Sequence, residues 1–148
     1  MEISKKTKKY WKKEDWEDLN NSKSTDDLYF IAKRIIERMP KPIIQICGPI
    51  ATGGLGSIKA NLEKFNDSII KLQNEGLNVF DQMPFEDKMQ EFKKTEIENS
   101  VLNNFYLPIF ESKIISTLYF LPNWKTSFGA TWEHSKAEEL NIEIKYLI

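Results

Sequence analysis

Trp124, Ser127, Gly129 and Glu133 set an aromatic ring, a hydroxyl, a bare backbone position and a carboxylate within one short stretch, Leu118 to Leu140. A glycine there lets backbone approach a ligand closely, and a serine offers its hydroxyl to a ligand or caps a helix. At about 100° per residue, Glu133 falls in one wedge with Ala130, Ala137 and Leu140, the spacing of a buried helical face. Glu138 and Glu139 point elsewhere, as solvent-facing acids do. A carboxylate among core positions is costly unless something uses it or pairs with it. Two readings therefore stand together: a site acid, or a core carboxylate paired with Lys, Arg or a backbone amide. His134 is turned about 100° from Glu133, as a general acid or a packing residue. Trp124 is suited to stacking on a nucleobase, or to serving as a lid over the core.

A second segment with chemical potential is Gly48-Pro49-Ile50-Ala51-Thr52-Gly53-Gly54-Leu55-Gly56-Ser57, with four glycines in ten residues. Its backbone can close on a ligand, and the amides opening the next helix can receive a phosphate or carboxylate. A tight turn without a ligand is the plain alternative. Neither GxGxxG nor Gly-Lys-Ser/Thr is present, so a dinucleotide fold or a P-loop ATPase is not supported. Asp81, at a strand end, is a ligand contact or a turn former. Phe85-Glu86-Asp87 lies in a segment too irregular to place.

The elements that must position these groups follow from periodicity. Ser24 to Asp27 supply N-cap candidates for a helix over 25–38, ended by Pro40 and Pro42. Ile43 to Cys47 is an apolar strand. Ile58, Leu62, Phe65, Ile69 and Leu72 form the seam of a helix stopped by Gly76. Leu77 to Asp81 reads as a second strand, with a short helix near 85–92. A helix over 96–110 is expected, with Pro108 forcing a kink or an early end. Ile114 to Leu121 is a buried strand, a helix follows, and Ile142 to Leu147 is the last strand. This alternation predicts an α/β fold: a doubly wound, flavodoxin- or Rossmann-like parallel sheet with an N-terminal helical extension. Residues 1–40 form the arm and its helix, and 41–148 the α/β domain. Ligands bind such sheets at the carboxyl ends of strands beside the switch point, where the Gly48 loop, Asp81 and the Trp124 loop all lie.

Composition narrows the partners. The net charge of −1 gives no general reason to expect nucleic-acid binding. Lys5, Lys6, Lys8, Lys9, Lys12 and Lys13 stand against Glu2 alone in the first thirteen residues, and are read as solvated. The tryptophans Trp11 and Trp16 in the same arm suggest docking on a neighbouring subunit. Cys47 is the one cysteine and His134 the one histidine, so neither an internal disulfide nor a Cys/His zinc cluster can form. Cys47 is expected to be a buried structural thiol. No apolar run reaches the ~18 residues of a membrane span, and the start lacks a signal-peptide core. A cytoplasmic protein with no membrane partner is expected.

Three sets of residues carry a resemblance: Ile46-Cys47-Gly48-Pro49-Ile50; then Asn61, Phe65, Leu72, Gly76 and Val79; then Leu121-Pro122-x-Trp124-x-x-Ser127-x-Gly129-Ala130-x-x-Glu133-x-x-x-Ala137. Over about 43–147 this pattern resembles the nucleoside 2-deoxyribosyltransferase-like superfamily, most nearly a small uncharacterised branch of it (DUF4406), and it also looks like the related deoxynucleoside 5′-monophosphate N-hydrolases. The resemblance implies chemistry at the N-glycosidic bond of a 2-deoxyribonucleoside or its 5′-monophosphate, with no cofactor and no metal. Glu133 matches the nucleophilic glutamate. Gly48, Ile50 and Gly53, with Pro49 between them, match the loop lining the sugar or phosphate site. Ser127 and Gly129 match residues contacting phosphate or ribose. The resemblance also implies a homo-oligomer in which a neighbour completes the site.

Two positions depart from it. Ser116 and Pro108 stand where relatives commonly carry aspartates, and the aspartate matched by Pro108 belongs to the acid–base apparatus. Leaving-group protonation then falls to Asp81, Asp87 or His134. Otherwise the same crevice serves as a nucleotide-binding or sensing module with impaired catalysis.

Overall fold

The computed structural model describes residues 2–148. Its centre is β1 (Ile43–Cys47), in which every residue is buried. Ile44 and Ile46 face one way, into a layer with Phe65, Ile69 and Leu72 of α4 (Ile58–Asn74). Ile43 and Cys47 face the other way, into a larger layer with Phe80, Phe85, Phe105 and Phe120. Burial on both faces is what a central parallel strand requires, and it explains why the run reads as continuous hydrocarbon. Gln45 is the polar exception, and it is fully buried.

Parallel pairing joins β1 to β2 (Asn78–Val79) on one side and to β3 (Ile115–Phe120) on the other; β4 (Glu143–Tyr146) adds to β3. The order β2-β1-β3-β4 is that of a doubly wound sheet, as the sequence pattern predicts. The chain leaves β1 in one direction and returns to its opposite edge as β3, so the switch point lies between their carboxyl ends.

Capping fixes the helices that flank this point. Ser57 accepts from the Ala60 amide at 3.1 Å to start α4, and Gly76, at φ +93°, follows its end. Ser127 accepts from the Ala130 amide at 3.1 Å to start α7 (Phe128–Leu140), which Asn141 ends in the left-handed conformation. The N-terminal α3 (Thr25–Arg38) starts at Ser24, whose side chain accepts from the Asp27 amide. Its buried Leu28, Ile31 and Ile35 share one core with Phe80 and Phe105.

Two elements differ from expectation. The strand expected over 77–81 pairs only at Asn78–Val79. Phe80 still donates to the Ile44 carbonyl at 2.8 Å, but the Asp81 carboxylate then accepts from the Met83 amide and turns the chain away. The helix expected from 96 begins at Ser100, after Asn99 takes φ +65°. It contains a π-turn, Leu102–Tyr106, before α6 (Leu107–Glu111). The wide turn accommodates Pro108, which has no amide to donate, and the helix continues past it to Glu111 instead of ending there.

The arm is ordered as α1 (Lys5–Lys8) and α2 (Lys13–Asn20), and its six lysines are exposed. Trp11 is buried in the chain's own core, stacked on Trp16 at 4.2 Å and 5.3 Å from the Phe85 ring. The suggested docking of these rings on a neighbouring subunit is therefore corrected: the apolar surface they cover is intramolecular. Asp15, with no exposed surface, pairs with Arg34 at 3.0 Å and with Arg38. Burial pushes its carboxyl upward, but the hydrogen bonds from Arg38, the Lys12 amide and Arg34 outweigh that and hold it below the usual range. No helix of the described residues is long and apolar enough to cross a membrane.

Candidate active site

At the switch point a cavity of about 300 Å³ opens between the β1–α4 loop, α5 (Glu86–Lys93), the π-turn and the start of α7. It lies at the small end of ligand-site volumes. Five of the residues singled out from sequence line it: Gly48, Ile50, Ser127, Gly129 and Glu133. Gly48 has no room for a side chain, since a Cβ would lie 2.5 Å from Leu121 Cδ1 and 3.0 Å from Leu121 Cβ. The loop consequently packs directly on the segment that follows β3.

Glu133 is buried on the inward face of α7, at the cavity wall. Gln45, from the middle of β1, directs Nε2 towards its Oε2 at 3.5 Å, and the Cys47 thiol, two residues on, lies close enough to influence its titration. Strand periodicity puts both β1 side chains on this face. Among the described residues Glu133 forms no ion pair and accepts from no backbone amide, so the paired core carboxylate is not what the fold contains. Burial raises its pKa to about 8, helped by the nearby Glu86 charge and opposed by the Cys47 thiol and Lys93. Burial also pushes the Cys47 thiol well above its ordinary value, with Glu133 adding to it.

A second carboxylate shares the cavity. Glu86 opens α5, is buried, and has its pKa raised by burial to about 7, with Lys93 and a 3.4 Å hydrogen bond from Gln90 acting the other way. Tyr106, from the π-turn, lines the same cavity. Its hydroxyl points to Met89 Sδ at 3.7 Å, and burial together with Glu86 and Glu133 pushes its pKa far up, keeping it a neutral donor. Gln82 also lines the space, and its buried Oε1 accepts no hydrogen bond from any described residue.

The other expected site residues lie elsewhere. Asp81 is buried, but its carboxylate accepts from Thr7 Oγ1 at 2.8 Å and from the Met83 amide at 2.9 Å, away from the cavity lining. Of its two readings the turn former holds. Trp124 stacks on His134 at 4.1 Å, and His134 Nε2 meets the Tyr146 hydroxyl at 2.7 Å. This aromatic group packs on Phe120 outside the cavity, so Trp124 is not positioned to stack on a base there and His134 is not positioned as its acid. Asp87 is exposed. Gly53 borders a neighbouring cleft with Thr126 and Ser57, and Pro49 a smaller one beside Leu121. Gly53 is required by its φ of +67° and because a Cβ would strike the Thr126 carbonyl.

Lys93, Gln82 and Tyr106 were not singled out from sequence, and Glu86 was noted there without a role. The signal for two of them was present. Phe85, Met89 and Phe92 mark the apolar face of α5, and Glu86 and Lys93, seven residues apart, lie one above the other along its border. No group of three or more His, Cys, Asp or Glu residues suited to a metal occurs among the described residues.

The two acids have a consequence for stability. A carboxyl whose folded pKa exceeds its unfolded value stabilises fully below the unfolded pKa, and that stabilisation is lost as pH rises through the folded one. For Glu133 the window runs from 4.5 to about 8. The slope is at most about 1.4 kcal/mol per pH unit. Glu133→Gln, which cannot ionise, should match the wild type in Tm near about pH 5 and exceed it near about pH 8.5, by on the order of 10 °C for a chain of this size. Thermal melts across that range check this, and a gap that fails to widen with pH would place the carboxylate in a hydrated setting.

No protein-family model matches the chain, and no curated protein or solved structure is similar to it at a significant level.

Proposed function

We propose that this protein cleaves, or transfers the sugar at, the N-glycosidic bond of a 2-deoxyribonucleoside or its 5′-monophosphate, as a member of the nucleoside 2-deoxyribosyltransferase-like superfamily. One observation carries the reading. Glu133, the residue that matches the superfamily's nucleophile, is buried without an ionic partner in a cavity at the switch point, and a second titratable carboxylate lines the same space.

In this reading the Glu133 carboxylate attacks the anomeric carbon as the carbon–nitrogen bond to the base breaks. The bonding electrons leave with the base nitrogen, and the Glu86 carboxyl supplies its proton. The resulting glycosyl ester is opened at the same carbon by water or by a second base, whose proton returns to Glu86. Division into two displacements suits an oxocarbenium-like transition state, because each step is easier than the direct one. Glu86 takes the duty that the sequence left to Asp81, Asp87 or His134. The working state holds one proton between the two acids, and their mutual repulsion favours a single charge in the pH range from about 7 to about 8. With Glu133 at about 8 and Glu86 at about 7 the single charge lies mainly on Glu86, so the productive form, Glu133 ionised and Glu86 protonated, is the minor of the two one-proton states of the pair. Tyr106 offers a donor beside both acids, and Gln82 Oε1 an acceptor for an N–H or O–H of the ligand.

The test is incubation of the purified protein with a panel of deoxynucleosides and their 5′-monophosphates, followed by chromatography of free base. Release from at least one member is expected, and addition of a second base separates transfer from hydrolysis. A folded protein that releases nothing from any member, with or without an acceptor base, would remove the proposal.

A further inference from the structure

The N-terminal arm lies outside the stretch that carries the resemblance, yet it touches the segment that forms one wall of the cavity at four separate places. Thr7 Oγ1 donates to the buried Asp81 carboxylate at 2.8 Å. Trp11, backed by Trp16, packs its ring 5.3 Å from that of Phe85. Lys88 Nζ donates to the Asn20 carbonyl at 3.2 Å. The Thr25 amide donates to the Glu96 carboxylate at 2.9 Å. Along 81–96, these contacts alternate with the groups that face the cavity: Gln82, Glu86, Met89 and Lys93.

We infer that residues 4–25 form a clamp that sets the position of α5, and that Thr7 and Trp11 are positioning residues for Glu86. The inference rests on the proposed site only in taking Glu86 as one of its working groups.

The arm is itself anchored on both sides of the contact. Ser4 Oγ donates to Gln73 Oε1 at 2.7 Å, and Gln73 Nε2 donates to Thr7 Oγ1 at 3.0 Å, which fixes the hydroxyl so that its own proton points at Asp81. Behind Trp11, Asp15 is held by Arg34 and Arg38 of α3. Asp81 transmits the constraint along the chain, because its other oxygen accepts from the Met83 amide at 2.9 Å and so shapes the turn that delivers α5. A short helix with a polar outer face is held weakly by propensity, so its orientation depends on packing and on such ties. A rotation of α5 by one residue, about 100°, would carry Glu86 from the cavity to solvent or into the Phe85 core. Ordering of this wall therefore depends on a segment distant in sequence.

Thr7→Val keeps the branched shape and removes the donor to Asp81, and Thr7→Ser keeps the donor. Two readouts that need no turnover are the titration of Glu86, followed by NMR of carboxyl-labelled glutamate, and amide hydrogen exchange along the chain. Glu86 is faced by Lys93, Gln90 and Asp87 on α5, by Asp81 before it, by Tyr106, and by Glu133 across the cavity. In Thr7→Val its midpoint should fall by about one pH unit as the carboxyl gains water. Exchange in α5 should rise about tenfold while α4 and β1 keep their protection. Thr7→Ser should restore both.

An unchanged Glu86 midpoint with unchanged α5 exchange would overturn the clamp, as would a uniform loss of protection over the whole chain. If Thr7→Val does not fold, Trp11→Phe carries the same two readouts, and the same results support or overturn the clamp. Because neither readout uses substrate, a protein that releases no base can still pass this test, and one that releases base can still fail it.

Discussion

Glu133→Ala is expected to stop base release almost entirely, with a fall of roughly 10⁴–10⁶-fold, the scale seen when an enzyme loses its nucleophile. The alanine variant also leaves a small polar cavity beside Gln45 and Cys47, so Glu133→Gln provides the isosteric control that should be equally inactive. Both should retain the fold, since the glutamate forms no ion pair there that its loss would orphan. Mass spectrometry of peptides from a rapidly quenched reaction should show the sugar as an ester on the Glu133 peptide in the wild type and in neither variant. If both variants release base at the wild-type rate, Glu133 is a core residue and the covalent route is excluded.

Glu86→Gln is the second large effect, and it separates the acid from the nucleophile. General acid catalysis contributes about 10²–10⁴-fold, so activity on an ordinary nucleoside should fall by that much. A substrate whose leaving group departs without a proton should lose far less, because the residue acts only on the departing base. The pH profile gives the sign. The wild type should show a bell between pKa values of about 7 and about 8, belonging to the pair. The alkaline limb reports loss of the last proton, and it should vanish in Glu86→Gln while the acid limb, protonation of Glu133, remains. A loss of equal size on every leaving group would mean that Glu86 shapes the cavity without donating a proton.

Much of this arrangement was legible in the chain because the underlying signals are local. Helix caps at Ser24 and Ser127, the stop at Gly76, and the apolar runs Ile43–Cys47 and Ile115–Phe120 depend on neighbours only a few residues away. The wedge of Ala130, Glu133 and Ala137 made the inward carboxylate visible for the same reason. Alternation of strand and helix then leaves few parallel topologies, and the observed order is among them.

The misreadings share one cause. Trp124 and Asp81 sit at strand ends, as a site requires, but being at the right end of the sheet does not fix which way a side chain points. Trp124 turned to the β4 edge to stack on His134, and Asp81 turned to the arm. Both found partners more than five residues away in sequence, which no local pattern announces. Glu86 was noted with Phe85 and Asp87 but given no role, because nothing local sets it apart from Asp87, and its border position acquires meaning only once Glu133 stands nearby.

By itself the sequence determined the succession of elements, the parallel sheet, the glycine turn at its switch point and the inward face of the helix bearing Glu133. These are consequences of backbone propensity, capping and hydrophobic period, all of which act over one or two turns. Tertiary structure alone decided that Glu86 and Tyr106 share a cavity with Glu133, that the Trp124 ring is excluded from it, and that the charged arm folds back on its own chain. The physical reason is that burial and electrostatic coupling depend on distance in space. Residues 47 positions apart, such as Glu86 and Glu133, have no interaction until the core brings them together.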